Sequence, residues 1–410
     1  MGPIALFDKS FLQSLNLDEA TLFDHFFLPV ISPLFFVETL ADLTLQPTKS
    51  GRDGEAIVSS LAAKSPEMHG SPCAFHGHLG VASLLGHDPP FTGQIPRTGG
   101  RRVNVDGKFG AVFEVPEEAE AFYRWQEGEF QEVERAYASG WRDALSKVDL
   151  NAVAASAKKL SVDPKAAKNL AQVRELANAV LQRLSPAEQL EFALRVFSVP
   201  QGTNRPILQR WSEMEYPPLR HFARYANFVA EVEMFFAIAL ASGKISTERA
   251  SNRCDISYLF YLPFCHVFVS YDRLHRECAP LFVREDQQFV WGPDLKGMLA
   301  EENVALLSLP EDERNRGLIN LAPTPTTGLV RELWGKFVPR ALAPQKEMDL
   351  SDAGSEALGR MIEEFANAPA VEEESTDVSE GELESITQRR SISHKRGSWY
   401  QLPKDMPITK

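Results

Sequence analysis

Four acidic residues, far apart in the chain, are spaced so that their carboxylates could share one cation. Asp8 follows the short apolar run Ile4-Ala5-Leu6-Phe7, and Asp272 comes just after the β-branched and aromatic run His266-Val267-Phe268-Val269-Ser270. Both runs read as strands. Ser32-Pro33 supplies an N-cap residue and a proline for the first helical position, which puts Glu38 near the second turn of a helix. Asp255 opens a second helical stretch, stopped by Pro263. Ligands of parallel α/β sheets collect beyond the carboxyl ends of the strands. Asp8 and Asp272 are expected at two such ends, with Glu38 and Asp255 beside them. Carboxylates crowded into one crevice raise one another's pKa and destabilise the fold unless a cation neutralises them. Hard oxygen donors select Mg²⁺ or Mn²⁺. Such an ion polarises a phosphodiester and acidifies a coordinated water. The expected reaction is therefore phosphodiester hydrolysis by metal-activated water.

The elements that must position these acids lie at two separated places. Residues 1–43 and 214–318 are expected to form one discontinuous core, and residues 44–213 an insertion. Within the insertion, 44 to about 112 is rich in Gly, Pro, Ser and His and reads as loop, with one helical stretch near Glu55 to Lys64. From Pro116 to about Val196 the spacing is helical, and Phe122, Trp125, Phe130, Val133, Tyr137 and Trp141 read as its core-facing series. A long helix is expected from about Pro218 to Ala241. In the second strand candidate, Phe26 to Ile31, Pro29 interrupts the run. Residues 319–410 read as a Pro- and Thr-rich linker at Ala322 to Thr327, a docking segment at Leu329 to Val338, and an acidic, disordered tail around Glu372 to Glu384.

A family resemblance rests on the acids and their neighbours. Ile4-Ala5-Leu6-Phe7-Asp8-Lys9-Ser10 resembles the first strand and acidic turn of PIN-like nucleases, and Ser32-Pro33-Leu34-Phe35-Phe36-Val37-Glu38 their glutamate-bearing segment. Asp255-Ile256-Ser257-Tyr258-Leu259 and Phe268-Val269-Ser270-Tyr271-Asp272-Arg273 resemble the two aspartates that close the family's site. The resemblance implies an α/β PIN-like core with a central parallel sheet flanked by helices. It implies metal ligation by Asp8, Glu38, Asp255 and Asp272, with Ser10 and Ser270 orienting carboxylates or water. It implies an endoribonuclease, with RNA preferred over DNA. The insertion between Glu38 and Asp255 is far longer than small members of the family carry.

Other residues qualify as substrate contacts. Arg97, Arg101 and Arg102 flank a Gly-Gly turn whose amides and guanidinium groups suit phosphates, although a plain hairpin fits as well. Arg220 and Arg224, with Arg205, Arg210 and His221, could face a nucleic-acid backbone or simply be solvated. Cys73, His76 and His78 match no zinc spacing. Arg389, Arg390, Lys395 and Arg396, followed by Trp399 and Tyr400, read as a solvated tail or as a docking peptide for a protein or nucleic-acid partner.

A net charge of -13 excludes wholesale coating of nucleic acid but leaves room for a local basic groove. Four cysteines are too few for a disulfide framework. Without a membrane-length apolar run or a signal-peptide pattern, the expectation is a cytoplasmic protein with no membrane partner. Two rival readings use the same residues: a catalytically idle PIN-like scaffold that binds nucleic acid or protein, and a phosphohydrolase of small molecules.

Overall fold

Eight strands are found among the described residues: β1 (Ile4–Phe7), β2 (Leu28–Val30), β3 (Arg101–Val105), β4 (Lys108–Val112), β5 (Val267–Ser270), β6 (Gln288–Trp291), β7 (Lys395–Arg396) and β8 (Trp399–Tyr400). Four of them make one parallel sheet in the order β2-β1-β5-β6, with Leu6 opposite Val30 and Phe268, and Val269 opposite Val290. β3–β4 and β7–β8 are antiparallel hairpins. The computed structural model describes residues 2–47, 51–66, 73–97, 100–105, 108–112, 116–157, 163, 166–342, 360, 363–364, 367–369 and 393–406.

The sheet is a mixed α/β core buried on both faces, which is why its strands are continuous apolar runs. Side chains alternate between two hydrophobic clusters. Leu6, Val30 and Phe268 point into one, built with the helices Leu150–Ala157, Leu170–Arg183 and Arg224–Ala241. Ala5, Phe7, Val267, Val269 and Val290 point into the other, built with Leu17–Phe26, Pro33–Ala41, Gly54–Lys64, Glu117–Gln126 and Gly292–Leu307. Residues 44–213 therefore contribute helices to both faces of the sheet.

Several local expectations change. Pro29 is accommodated because β2 is an edge strand, where a missing N–H leaves no central ladder position empty. The loop expected over 44–112 also holds the helix His76–Leu84 and the β3–β4 hairpin. Of the aromatic series, Phe122 and Trp125 are core, while Val133 and Tyr137 are exposed at 67% and 49%.

The long helix from Pro218 is two helices, Leu219–Phe222 and Arg224–Ala241, parted at Ala223 by an extended backbone (φ -153°, ψ 91°). The Asp88 carboxylate accepts from the Arg224 and Tyr225 amides at 2.9 and 3.0 Å, and Ser83 Oγ from Ala226 N at 3.2 Å. A carboxylate from another segment thus caps the second helix. Asp88→Ala is expected to lower stability by about 1–2 kcal/mol in thermal or urea unfolding, the usual worth of a lost N-cap. An unchanged midpoint would show that solvent replaces the carboxylate.

The end of the chain is not a solvated tail over 393–406. Arg396 and Trp399 are buried, and Trp399 Nε1 donates to Asn303 Oδ1 at 2.8 Å. The acidic run Glu372 to Glu384, with Arg389 and Arg390, lies outside the described residues. Among the described residues no helix is long and apolar enough to cross a membrane.

Candidate active site

The chain leaves the middle of the sheet in opposite directions, β1 to β2 on one side and β5 to β6 on the other. The crevice between β1 and β5 is thus the topological switch point, where α/β sheets bind ligands at their carboxyl ends. Asp8 and Asp272 follow these two strands, and the Asp8 amide still donates to the Val269 carbonyl at 3.3 Å.

Asp8 N-caps the helix Lys9–Ser14. Its Oδ1 accepts from Phe11 N at 2.9 Å, while Oδ2 accepts from Ser10 Oγ at 2.5 Å and Ser270 Oγ at 2.9 Å. Asp272 N-caps the helix Arg273–Cys278 through Leu274 N at 2.6 Å, and its own amide donates to Ser270 Oγ at 2.9 Å. Ser270, the last residue of β5, thereby ties the two aspartates together.

Glu38 projects from the helix Pro33–Ala41, started by Ser32, whose Oγ accepts from Phe35 N at 3.2 Å. Its Oε2 accepts from Tyr258 Oη at 2.6 Å. Tyr258 stands three residues beyond Asp255 in the helix Asn252–Tyr258, on the same helical side.

His275, to which the sequence assigns no role, is 1% exposed in this cluster. Its Nδ1 lies 2.8 Å from Ser270 Oγ and 3.5 Å from Asp8 Oδ2, and its Nε2 lies 2.6 Å from the Asp255 carbonyl oxygen. A carbonyl oxygen only accepts, so Nε2 carries a hydrogen.

The electrostatics follow from this packing. Burial pushes the Asp8 carboxyl up, but the bond and charge of His275, with Ser10 and the Phe11 amide, hold it below its ordinary value. Desolvation raises Glu38, against the pull of Lys9 and Tyr258. Burial, with the charges of Asp272, Glu38 and Asp8, raises Asp255 to about 7 despite His275. Burial would lower His275, yet Asp8 and Asp255 raise it to about 9. All four acids therefore act on one electrostatic neighbourhood.

Asp42 belongs to a different arrangement. Lys9 Nζ donates to both its oxygens at 2.9 Å and to the Glu38 carbonyl at 3.1 Å, and Arg142 donates to Asp42 Oδ1 at 3.4 Å and the Ala41 carbonyl at 2.8 Å. The two cations cap the carbonyl end of the helix Pro33–Ala41 and neutralise Asp42.

Of the arginines expected at substrate, Arg224 lies away from the acids. Arg224 stacks on Phe91 at 4.3 Å and lines a cleft of about 270 Å³ with Pro263 and Gln287, which precede β5 and β6. That is the amino end of the sheet, opposite the acids. Arg220 is exposed on the helix Leu219–Phe222, its Nε against His221 Nε2 at 3.1 Å. Arg101 and Arg102 stand in β3, and Arg101 donates to the Ala368 carbonyl. Arg97 is half-buried near the Cys73 thiol. The Cys73 thiol is itself pushed up by burial, and His76, desolvated to about 3, sits against Tyr261 Oη at 3.2 Å.

In donor chemistry the acids fit a hard divalent cation: the set is all carboxylate oxygen, and no protein donor among the described residues bonds the Asp255 carboxylate. As the side chains stand, no three His, Cys, Asp or Glu among the described residues are grouped closely enough to hold a metal ion. Asp8 and Asp272 are each engaged by donors of their own helix. Compared with family models, curated proteins and solved structures, the chain matches none.

Proposed function

We propose that this chain is a divalent-cation-dependent nuclease with a PIN-like core, cleaving RNA in preference to DNA. The observation that carries the proposal is that Ser270, two residues before Asp272, donates to the carboxylate of Asp8, 262 residues away, at the switch point, with Glu38, Asp255 and Asp272 in the same field. The preference for RNA rests on the sequence resemblance alone.

Asp8, Glu38, Asp255 and Asp272 would hold Mg²⁺ or Mn²⁺. The ion would neutralise a scissile phosphodiester and make a water acidic enough to attack it. The chain's residues prepare the site for that. Ser10 and Ser270 fix Asp8 Oδ2, Tyr258 fixes Glu38 Oε2, and Lys9 lowers the cost of charging Glu38. Asp255, raised to about 7, would give up its proton to let a cation bind.

The test is cleavage of single-stranded RNA and DNA by the full chain with Mg²⁺ or Mn²⁺. Asp8→Asn and Asp272→Asn are each expected to lose more than about 100-fold in rate, beyond the 10–100-fold typical of outer ligand contacts. Arg220→Ala should cleave like the parent. Equal rates in the parent and both aspartate variants would remove the enzyme reading. Turnover of a phosphomonoester but of no polynucleotide would reassign the site to small phosphorylated molecules.

A further inference from the structure

His275 touches Asp8, Ser270, Tyr258 and the main chain of Asp255 without being one of the carboxylates. It stands three residues beyond Asp272, in the first turn of the helix Arg273–Cys278. Its ring is wedged edge-on between Tyr258 and Phe268, at centroid distances of 5.5 and 5.0 Å, so packing fixes its orientation. One nitrogen faces Ser270 and Asp8, and the other faces the main chain of Asp255. Tyr258, whose ring packs against the imidazole, is also the hydroxyl donor to Glu38.

We infer that His275 is a positioning residue for cation binding: its two ring nitrogens fix the separation between the β1–β5 crevice, where Asp8 and Asp272 stand, and the helix that carries Asp255. The inference rests on the carboxylates being the cation site. A rigid ring bonded at both ends acts as a spacer. Asp255 belongs to a helix outside the sheet, and among the described residues no donor bonds its carboxylate, so the bond to its carbonyl ties its place to that of Asp8. Outer contacts of this kind typically change cation affinity 10- to 100-fold.

The experiment is a Mn²⁺ titration of the full chain, following the electron-spin-resonance signal of free Mn²⁺. His275→Asn places an amide near Nδ1 and abandons the Asp255 carbonyl. His275→Gln reaches the carbonyl and abandons Ser270 and Asp8. Each keeps a polar side chain, and each should weaken Mn²⁺ binding by about 10-fold or more. Cys278→Ala, on the same helix and buried in the apolar cluster, removes no hydrogen bond of the acids, controls for lost packing and should leave affinity unchanged while lowering the melting temperature. Asp272→Asn reports on the site itself. Binding that Asp272→Asn weakens but both His275 variants retain would overturn the positioning role alone. No binding by the parent, or binding indifferent to Asp272→Asn, would overturn the cation site and the inference with it. Loss in Cys278→Ala equal to loss in the His275 variants would reduce His275 to general packing.

Discussion

Replacing Arg396 with alanine is expected to lower the unfolding free energy by about 3–5 kcal/mol, the usual result of removing one partner of a buried ion pair. Arg396 and Asp24 are 5% and 1% exposed in their side chains, with Nη1 3.3 Å from Asp24 Oδ2. Arg396 Nη2 also donates to the Ala63 and Ser65 carbonyls at 3.0 and 2.6 Å, closing the end of the helix Gly54–Lys64. The hairpin β7–β8 is thus a latch across the helices on one face of the sheet. Its turn passes close to Asp18, whose Oδ1 accepts from Ser398 N at 2.8 Å. At that turn Gly397 has φ +60°, a backbone conformation that favours glycine, and a Cβ there would press on the Asp18 carboxylate. Urea unfolding of Arg396→Ala, with and without Asp24→Asn, measures the effect. Adding Asp24→Asn should recover at least about 1 kcal/mol, because a neutral amide no longer strands a charge. A loss below about 1 kcal/mol in the single variant would show that the hairpin contributes little to the fold.

That latch was hidden in the sequence because the same residues satisfy two readings. A basic patch followed by Trp399 and Tyr400 is equally a solvated peptide and a docking one, and the partner, Asp24, is 372 residues away. The two central strands were legible for the opposite reason. Ile4–Phe7 and Val267–Ser270 are apolar or β-branched runs bounded by polar residues, a pattern that local preference alone reads. β6 was missed although Phe289, Val290 and Trp291 suit a strand, because four residues give too short a period. The helix His76–Leu84 was missed because its glycines break helical preference. At Gly80 the glycine is required by packing, since a Cβ there would meet the Phe197 ring at 2.0 Å.

The acids were legible by type and by the strand ends they follow, whereas the groups that hold them were only partly so. Ser10 and Ser270 sit two residues from an aspartate, and both prove to bond Asp8. His275 and Tyr258 each stand three residues past an acid, a helical spacing that placed them on the right side of their helices. Nothing local says that one imidazole spans from β1 to the helix of Asp255, because that contact joins residues brought together only by the sheet order. Arg224 lies at the other end of the sheet for a related reason: a guanidinium seen in sequence carries no information about which end of the sheet it will occupy.

Without divalent cations, the stability of the folded chain is expected to fall as pH rises from about 5 to about 9. Asp255 is raised from 3.8 to about 7, and His275 from 6.5 to about 9. In both cases the folded state holds the proton more tightly than the unfolded one, so stability is full below the unfolded pKa and is lost as pH climbs through the folded one. Asp255 acts between about pH 4 and 7, and His275 between about 6.5 and 9. Glu38, also raised, adds to the fall. Asp8 has the opposite sign, and its contribution disappears only as pH drops below its ordinary value of 3.8. Asp255 alone corresponds to a loss of roughly 2–4 kcal/mol, after allowance for its coupling to the other acids. Mn²⁺ held at the proposed site would reverse the trend, because it would favour the ionised carboxylates and displace their protons. Melting curves at pH 5, 7 and 9, with chelator or with saturating Mn²⁺, should therefore diverge as pH rises. Asp255→Asn should flatten the chelated curve between pH 5 and 7 and reduce the gain from Mn²⁺. A chelated protein whose melting temperature holds steady or rises from pH 5 to 9 would mean that the carboxylates do not share a field. The cation would then lack the electrostatic reason to bind that the crowding of acids provides.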